Sequence, residues 1–331
     1  MTNEFTSAPP PQALIMDTVF GFFRARTLQV FAELGVADAI AAGRDPGVNE
    51  RFLRASAALG LVRSLDVGGY ALTPLGEALR VDVPGSLHGF AASVLGGGHY
   101  RGWGALAEAA RTGECAFDKV HGEDVWSYFT KTNPAEGRLF NQAMAGSSAM
   151  IVQSVLAHYE FPEQGLFVDV AGGSGMMLSA ILRARPQARG IVMDLPFTAP
   201  AAAANLQEQG VADRCVFEAG DFFQSVPAGG DLYTMKWILH DWNDERAGAI
   251  LGTVHQAMPA HAKLLLVEAV VPEGDDAQFG RMMDLNMMVM CGGKERTEPE
   301  WRQLLTANGF ALSRVIPMPG PVSLVEAVKQ Q

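Results

Sequence analysis

The pattern of apolar and polar positions divides the chain into three stretches, and the first reads as helices followed by a hairpin. Its first helix stops at Gly43, and the apolar positions at helical spacing are Leu28, Phe31, Leu34 and Val36. A second helix ends near Gly60. The stretch VRSLDVGGYALTP then alternates around Gly68 and Gly69, which predicts a hairpin with a two-residue turn. Helices followed by such a hairpin are typical of a winged-helix-like domain.

The second stretch, from His88 to about His158, is rich in glycine and alanine and predicts helices that carry aromatic side chains. A helical linker between domains has this composition. The predicted organisation is therefore an N-terminal domain over residues 1–87, a linker over 88–160 and a catalytic domain over 161–331. The first twelve residues, rich in proline and small polar types, predict a mobile arm.

The third stretch, from Leu166 onward, alternates wholly apolar strands with amphipathic helices. Strands that are apolar on both faces predict a parallel sheet covered by helices on each side, which is an α/β doubly wound fold. Predicted strands are GLFVDVA, RGIVMDL, VFEAGDFF, DLYTMKWIL and KLLLVEAVV. Two final strands, FALSRVIPM and SLVEAVK, are joined by PGP and predict an antiparallel hairpin at the sheet edge.

Length and charge exclude several classes of protein. The chain has 331 residues, and no apolar run reaches the roughly 18 residues of a membrane span. Its start lacks the basic and apolar regions of a signal peptide, so we expect a cytoplasmic protein without membrane contact. A net charge of -11 removes the electrostatic attraction that nucleic-acid binding needs. Cys115, Cys215 and Cys291 lie far apart, which indicates small buried side chains rather than a disulfide or zinc site.

The glycine cluster in VDVAGGSGMMLSAIL lies between the first strand of the sheet and a helix, where such folds bind nucleotides. A dinucleotide motif needs a glycine where the chain has Leu178, and no Gly-Lys-Ser/Thr of a P-loop follows. A nucleoside ligand without a phosphate chain is left. Asp194 ends the second strand and is suited to ribose hydroxyls, while Asp221 ends the third and is suited to adenine. S-adenosylmethionine (SAM) fits this series, and NAD is the alternative on the pattern alone.

Candidate acid–base chemistry lies in MKWILHDWND, where His240 follows an apolar strand and precedes a helix capped by Asn243 or Asp241. Glu268 ends the next strand at the same edge, and Glu295 follows a long apolar helix. A carboxylate at the end of an apolar strand is costly without a partner. A histidine held by glutamate is the arrangement of an oriented general base.

The series VDVAGGSG, MDLP, GDFF, MKWILHDWND, VEAVVPEG and GGKERTEPEW resembles the SAM-dependent small-molecule O-methyltransferases related to caffeic acid and flavonoid O-methyltransferases. The resemblance covers nearly the whole chain. It implies a Rossmann-like doubly wound class I methyltransferase sheet with an N-terminal, mostly helical winged-helix-like domain through which two chains form a homodimer. It also implies transfer of the SAM methyl group to a hydroxyl of an aromatic small molecule, with S-adenosylhomocysteine as product and without a metal.

The resemblance assigns roles residue by residue. It implies His240 as catalytic base, with Glu268 and Glu295 flanking and orienting it. Implied SAM contacts are Asp169, Gly172, Gly173, Gly175, Asp194, Leu195, Asp221, Phe222, Lys236 and Trp237. Implied acceptor contacts are Phe140, Asn141, Met144 and Asp241, and one face of the apolar helix adds Met283, Asn286, Met287 and Met290.

Two features of the sequence depart from the family pattern, and the role of His240 as base depends on one assumption about the pKa of its imidazole. Ala171 replaces a glycine often seen in the motif, which we interpret as a minor change because alanine is small. The segment AAGRDPGVNERF is shorter than the family's usual helix-turn-helix, which indicates a missing helix and leaves the dimer geometry open. A phenol with a pKa near 10 is mostly protonated at pH 7, whereas an ordinary imidazole with a pKa near 6.5 is mostly free to take its proton.

Alternative functions remain open at the level of sequence. N-methylation of a heterocycle uses the same scaffold, and some relatives bind SAM without transferring its methyl group, in hydroxylation or decarboxylation. A DNA-binding regulator would need a basic recognition helix, where the chain has ASAALGLV. An NAD oxidoreductase lacks the third glycine and leaves GGKERT and HDW unexplained.

Overall fold

The computed structural model of the chain describes residues 9–274 and 278–330. The chain forms two compact units: one comprises the residues up to Tyr100 with Phe129–Ser147, and the other comprises Arg101–Tyr128 with the residues from Ser148 onward. The three-part division at residues 87 and 160 stays a prediction. Residues 1–8 of the predicted arm lie outside the described residues, and Pro11 already begins a helix. The prediction of a mobile arm was therefore wrong for its last two residues, Pro11 and Gln12, which lie in a helix. Proline is accepted at the first position of a helix, so Pro11 can begin one.

The elements of the described residues follow the predicted order. The helices are α1 (Pro11–Glu33), α2 (Val36–Ala41), α3 (Glu50–Ala58), α4 (Pro74–Glu77), α5 (His88–Val94), α6 (Gly97–Gly104), α7 (Leu106–Thr112), α8 (Ala116–His121), α9 (Val125–Ser127), α10 (Pro134–His158), α11 (Met176–Ala184), α12 (Ala199–Glu208), α13 (Asp244–Ala257), α14 (Gln278–Met290) and α15 (Glu298–Ala307). The strands are β1 (Val62–Ser64), β2 (Tyr70–Leu72), β3 (Gln164–Val170), β4 (Gln187–Asp194), β5 (Cys215–Ala219), β6 (Leu232–Lys236), β7 (Lys263–Glu268), β8 (Phe310–Pro317) and β9 (Ser323–Lys329). A π-helical turn and two 3₁₀ turns cover Tyr128–Thr132, Pro196–Thr198 and Leu239–Asp241.

The helices and hairpin at the start of the chain are confirmed, with two corrections. The predicted single helix to Gly43 is broken at Gly35, whose left-handed backbone (φ 61°) ends α1 and begins α2. Strands β1 and β2 pair antiparallel as predicted, but residues 65–69 form a five-residue loop in place of the two-residue turn. The Leu65 amide donates to the Gly69 carbonyl across that loop (3.1 Å), so both glycines lie within a longer connection.

The seven-stranded sheet confirms the predicted α/β fold. Its strands are ordered β5, β4, β3, β6, β7, β9 and β8; β9 runs antiparallel to both of its neighbours and the other pairs are parallel. Separate apolar cores cover the two faces, which explains why the strands are apolar throughout. The order turns outward in both directions from β3 and β6, so a crevice opens at their carboxyl ends.

The structure also bears on the predictions about the cysteines and about membrane contact. All three cysteines carry free thiols; Cys215 is buried as predicted, while Cys115 and Cys291 are half-buried. Among the helices that the structure describes, not one combines the length and apolar character needed to cross a bilayer.

Candidate active site

The turn after β3 brings the backbone unusually close to its neighbours, which accounts for its glycines. A Cβ atom at Gly172 would lie 2.5 Å from Oδ2 of Asp169, and one at Gly175 would lie 2.7 Å from Cγ2 of Val192. Gly175 also adopts a left-handed conformation (φ 72°) as the N-cap of α11. Side chains are therefore excluded at Gly172 and Gly175, and the turn is held by hydrogen bonds from the Gly172 amide to the Met193 carbonyl (3.2 Å) and from the Gly175 amide to the Gly172 carbonyl (2.8 Å).

Asp169 is a nearly fully buried carboxylate below this turn. Its Oδ1 accepts a hydrogen bond from Thr234 Oγ1 (2.7 Å), while Oδ2 has no partner among the described residues. Burial raises the pKa of Asp169 to about 6. An unpaired buried oxygen of this kind is expected to receive a donor from a ligand.

Asp194 closes the next strand and contacts the glycine turn directly. Its Oδ2 accepts from the Gly173 amide (2.7 Å) and its Oδ1 from the Leu195 amide (2.6 Å), while burial raises its pKa. The Leu195 side chain is exposed. Asp169, the glycine turn, Asp194 and Leu195 therefore lie together at the carboxyl ends of β3 and β4. We refer to these residues as the rim.

The prediction that Asp221 ends the third strand is wrong by two residues. Strand β5 ends at Ala219, and the Asp221 carboxylate accepts from the Phe223 amide (2.9 Å), which folds the chain into a turn. Phe222 packs edge-to-face against Phe223, with ring centroids 4.8 Å apart. Asp221 and Phe222 therefore follow the strand on a turn rather than lying within it.

The end of β6 carries the next pair of predicted site residues. The strand stops at Lys236, and Trp237 takes a left-handed backbone conformation (φ 54°) that turns the chain. Burial lowers the pKa of Lys236, whose Nζ lies 5.3 Å from the centre of the Trp237 ring. The indole in turn stacks on the His240 ring at 6.2 Å.

His240 lies in the 3₁₀ turn after β6. One glutamate contacts its ring, and a second glutamate contacts the backbone just before it. The imidazole Nδ1 donates to Glu295 Oε1 (2.8 Å), and Nε2 lies 3.4 Å from Asp241 Oδ1. Glu268 instead accepts from the backbone amides of Ile238 and Leu239, at 3.0 and 2.9 Å. Each glutamate has one buried oxygen without a partner among the described residues.

These buried charges change the acid–base properties of the site. Burial opposes the imidazolium, but the carboxylates of Asp241, Glu268 and Glu295 outweigh it and raise the pKa of His240 to about 10. Burial likewise raises the pKa of Asp241 to about 6 and that of Glu268 to about 7. The assumption of an ordinary imidazole pKa is therefore wrong: the free protein holds a proton on this cluster at pH 7.

The four predicted acceptor residues on the apolar helix α14 differ in burial. Met287 and Met290 are buried, whereas Met283 and Asn286 are half-buried. Asn286 Oδ1 accepts from Trp103 Nε1 (2.9 Å), so this oxygen already has a partner. Its amide group in turn donates to Met283 Sδ (3.9 Å).

Phe140, Asn141 and Met144 share helix α10 within the first unit. The Phe140 ring stacks with Phe129, with centroids 4.9 Å apart, and lies 6.1 Å from His99. Asn141 is exposed and Met144 is half-buried. Their role beside the acceptor stays a prediction.

Three residues that hold the site together were missed from the sequence. Thr234 binds Asp169, and Asp284 Oδ1 accepts from the Glu295 amide (2.9 Å). Arg296 is fully buried beside Glu295 and binds the turn that carries His240. The one signal for Arg296 in the sequence was its position in GGKERT, directly after the candidate site residue Glu295.

The order of the seven-stranded sheet, the glycine turn at its switch point and the similar solved structures place the chain among the class I methyltransferases. The chain belongs to the O-methyltransferase family, whose domain model matches residues 103–311. It is a SAM-dependent O-methyltransferase, which confirms the enzyme class, the family and the cofactor predicted from the sequence.

Similar proteins come from bacterial natural-product biosynthesis. A phenazine O-methyltransferase of Lysobacter antibioticus is 39% identical over 98% of both chains. The O-demethylpuromycin-O-methyltransferase of Streptomyces alboniger is 41% identical over 96% of this chain and 89% of its own. A solved O-methyltransferase from neocarzinostatin biosynthesis, in complex with S-adenosylhomocysteine and 1,4-dihydroxy-2-naphthoic acid, has a TM-score of 0.80 at 33% identity, covering 92% of this chain and 95% of its own.

The residues at the crevice fit SAM. Asp169 offers an unpaired buried oxygen, and a Cβ position at Gly173 has no atom within 4 Å, so the turn leaves open space for a ligand. The buried carboxylates provide negative charge for a cationic cofactor. When bound, the cofactor supplies a methyl group activated by a sulfonium centre.

Proposed function

We propose that the enzyme methylates a phenolic hydroxyl of a planar aromatic small molecule, with His240 as general base. The observation that carries this proposal is the 2.8 Å contact between His240 Nδ1 and Glu295 Oε1 at the ligand-bearing edge of the sheet. With Nδ1 engaged, Nε2 is the nitrogen that is available to accept a proton from the acceptor hydroxyl. Glu268 fixes the backbone that carries the imidazole.

In this mechanism the chain's residues move one proton. The phenol O–H bond breaks as its proton passes to Nε2 of the neutral imidazole, and the electron pair of that bond stays on the oxygen. Bound SAM would supply the methyl group to this oxygen, and the electrons of the broken methyl–sulfur bond would leave with S-adenosylhomocysteine. Glu295 and Asp241 stabilise the resulting imidazolium. General base catalysis of this type contributes about 10² to 10⁴ in rate.

The raised pKa of His240 suits this proton transfer. An imidazolium with a pKa of about 10 matches a phenol, whose pKa is also about 10, so the proton moves between groups of similar basicity. The base is mostly protonated at pH 7 in the free protein. A cationic ligand at the same edge adds positive charge, which lowers the pKa of the imidazole and favours its neutral form.

The cofactor contacts are assigned to the rim described above. Asp169 and the glycine turn bind the polar end of SAM, Asp194 accepts from the ribose hydroxyls, and Asp221 with Phe222 binds adenine. Support comes from the unpaired Asp169 oxygen and from the shared edge of β3, β4 and β6. The proposed contacts also comprise Gly172, Gly173, Gly175, Leu195, Lys236 and Trp237.

The acceptor site is proposed to be apolar and flat. Thioethers and aromatic rings contact planar ligands well, which favours Met283, Met287, Met290 and Phe140 as contacts. Asn286, Asn141, Met144 and Asp241 complete the proposed set. The similar proteins from natural-product pathways support an aromatic acceptor, since their names refer to phenazine, aminohydroxybenzoate and naphthoate substrates.

N-methylation is the second candidate. A phenazine-1-carboxylate N-methyltransferase of Pseudomonas aeruginosa is 31% identical over 95% of this chain. Nitrogen in such rings often carries a free electron pair, so its methylation makes less demand on a base. The buried His240–Glu295 pair favours the hydroxyl acceptor.

We further propose that the enzyme is a cytoplasmic homodimer joined through α1. Seven large apolar side chains of this helix are 46–63% exposed, namely Leu14, Ile15, Met16, Val19, Phe20, Phe22 and Phe23. A contiguous apolar surface of this kind marks an interaction site. A second copy of α1 is the occupant that the family resemblance favours.

The acceptor class can be tested with methyl-labelled SAM and a panel of planar phenols and aromatic amines. Mass spectrometry locates the label on oxygen or nitrogen. We expect a phenol methyl ether. Label on nitrogen alone would favour the second candidate, and binding of SAM without transfer to any hydroxyl of the panel would count against the proposed reaction.

A further inference from the structure

Arg296 is a buried arginine that the mechanism above does not use. It directly follows Glu295 and its side chain is 0% exposed. A buried guanidinium is costly unless every donor is paired, so its retention at this place calls for a specific set of partners.

The guanidinium has all five of its N–H donors engaged. The acceptors are Leu239 O (3.0 Å), Lys294 O (3.1 Å), Trp242 O (2.9 Å) and Asp244 Oδ1, which receives Nε at 2.9 Å and Nη2 at 2.8 Å. The group also lies over the Trp301 ring, 5.2 Å from its centre. Its orientation is therefore fixed on every side.

These partners bracket the histidine. Leu239 and Trp242 are the residues immediately before and after His240 and Asp241, so one planar group binds both ends of this short turn. The Lys294 amide also donates to the His240 carbonyl (2.8 Å). The segment that carries Glu295 is thus joined to the turn that carries His240 by backbone and by guanidinium.

Only arginine can make this set of contacts. A lysine ammonium has three donors on a flexible stem and cannot donate to all four acceptors at once. The carbonyls of Leu239 and Trp242 would then lose a partner inside the protein.

We propose that Arg296 is a positioning residue that sets the His240 imidazole against Glu295. This inference rests on the proposed role of His240 as base. A displacement of a reacting group by about 1 Å costs on the order of 10² in rate. Loss of the guanidinium should therefore lower kcat while the binding of SAM is retained, because none of the proposed SAM contacts is a partner of Arg296.

Arg296→Lys in the full-length enzyme is the first test, with Arg302→Lys as matched control because Arg302 is exposed and pairs with Glu298 on the surface. We expect Arg296→Lys to lower kcat about 10- to 100-fold. The Kd for SAM should change by less than about twofold, and the control should match wild type. Unchanged kcat in Arg296→Lys would overturn the proposal.

A second pair of variants keeps the test decisive if Arg296→Lys does not fold. Asp244→Ala removes the charged partner of Arg296 at an exposed position, and Glu245→Ala removes a neighbouring carboxylate from the same first turn of α13. Only Asp244→Ala should lower kcat, by a few-fold, and lower the pH at which His240 titrates. Equal effects of both variants would mean a helix-stability role and would overturn the proposal.

A direct readout separates this inference from the proposed base. Nitrogen-15 NMR of labelled histidines follows the protonation of the His240 ring, assigned by its loss in His240→Gln. Arg296→Lys should lower the pKa of that ring because its contact with Glu295 loosens; an unchanged titration would overturn the positioning role. Turnover retained in His240→Gln would refute the base and leave this titration still interpretable.

Discussion

His240 shows at the scale of one residue how burial and charge compete. Desolvation alone would keep the imidazole neutral at pH 7, yet the three carboxylates of Asp241, Glu268 and Glu295 raise its pKa to about 10. Asp241 and Glu268 carry raised pKa values of their own, so the cluster titrates as a unit. The pH dependence of the reaction should report this cluster.

Glu295→Gln tests the electrostatic part of this picture. The carboxylate raises the pKa of His240, so its removal should lower that pKa and move the rising limb of log(kcat/KM) to lower pH. A shift of about one pH unit or more is expected, as for loss of a directly bonded charge. The pH profile with one acceptor, compared between wild type and variant, provides the measurement.

The sign of that shift is specific. Weaker orientation alone would lower the plateau of the profile and leave its inflection in place. Glu298→Gln removes an exposed carboxylate that pairs with Arg302, and this control should leave both unchanged. An inflection that stays put in Glu295→Gln would contradict the assigned source of the raised pKa.

Ala171 shows that the type of a residue does not reveal its backbone conformation. It was interpreted as a minor replacement because alanine is small, but its backbone is left-handed (φ 56°). That conformation costs an L-residue about 1–2 kcal/mol relative to glycine's freedom. The interpretation was wrong in its reason, since conformation rather than volume distinguishes the two residues here.

At the scale of elements, alternation of apolar strands and helices predicted the sheet, because wholly apolar strands must lie inside a two-sided fold. The ends of elements were less predictable. Gly35 breaks the first helix, and Asp221 forms a turn beyond β5, although the apolar pattern runs on through both places. Backbone conformation and local side-chain bonds decide such boundaries, and periodicity does not encode them.

Helix α15 carries a capping box that fixes the chain just after Arg296. Thr297 accepts from the Glu300 amide, and the Glu300 carboxylate accepts from the Thr297 amide (2.9 Å). Thr297→Ala should destabilise the protein by about 1 kcal/mol. Urea unfolding measures this, with Thr306→Ala near the other end of the same helix as control; equal losses in the two variants would contradict the capping role.

At the scale of the whole molecule, the exposed apolar face of α1 predicts association. Light scattering should give about twice the 35.4 kDa mass of one chain. Phe20→Glu with Phe23→Glu places two charges on this face and should give monomers, because charge is costly in a buried interface. Val67→Glu changes a residue that is 94% exposed on the hairpin loop and should leave the mass unchanged.

The oligomer prediction has a clear contrary outcome. A wild-type mass of one chain at micromolar concentration would contradict it. A double variant that keeps the wild-type mass would instead place the interface elsewhere on the molecule.

Much of the candidate site followed from the sequence because parallel strands present their carboxyl ends at one edge. Asp194, His240 and Glu268 could be placed together on that ground alone. Which oxygen contacts which donor could not: Glu295 binds the imidazole, whereas Glu268 binds two backbone amides. Arg296 was missed because its role is defined by four hydrogen-bond acceptors on two segments, Leu239–Asp244 and Lys294, that only the fold brings together.

The most direct measurement is methyl transfer from labelled SAM to a phenolic acceptor by wild type and His240→Gln, with SAM affinity measured by calorimetry on the same preparations. His261→Gln is the control, since His261 is exposed and contacts Asp231. A base at position 240 predicts that kcat falls by about 10² to 10⁴ while SAM affinity is retained. Turnover close to wild type in His240→Gln would contradict the assignment of His240 as the base.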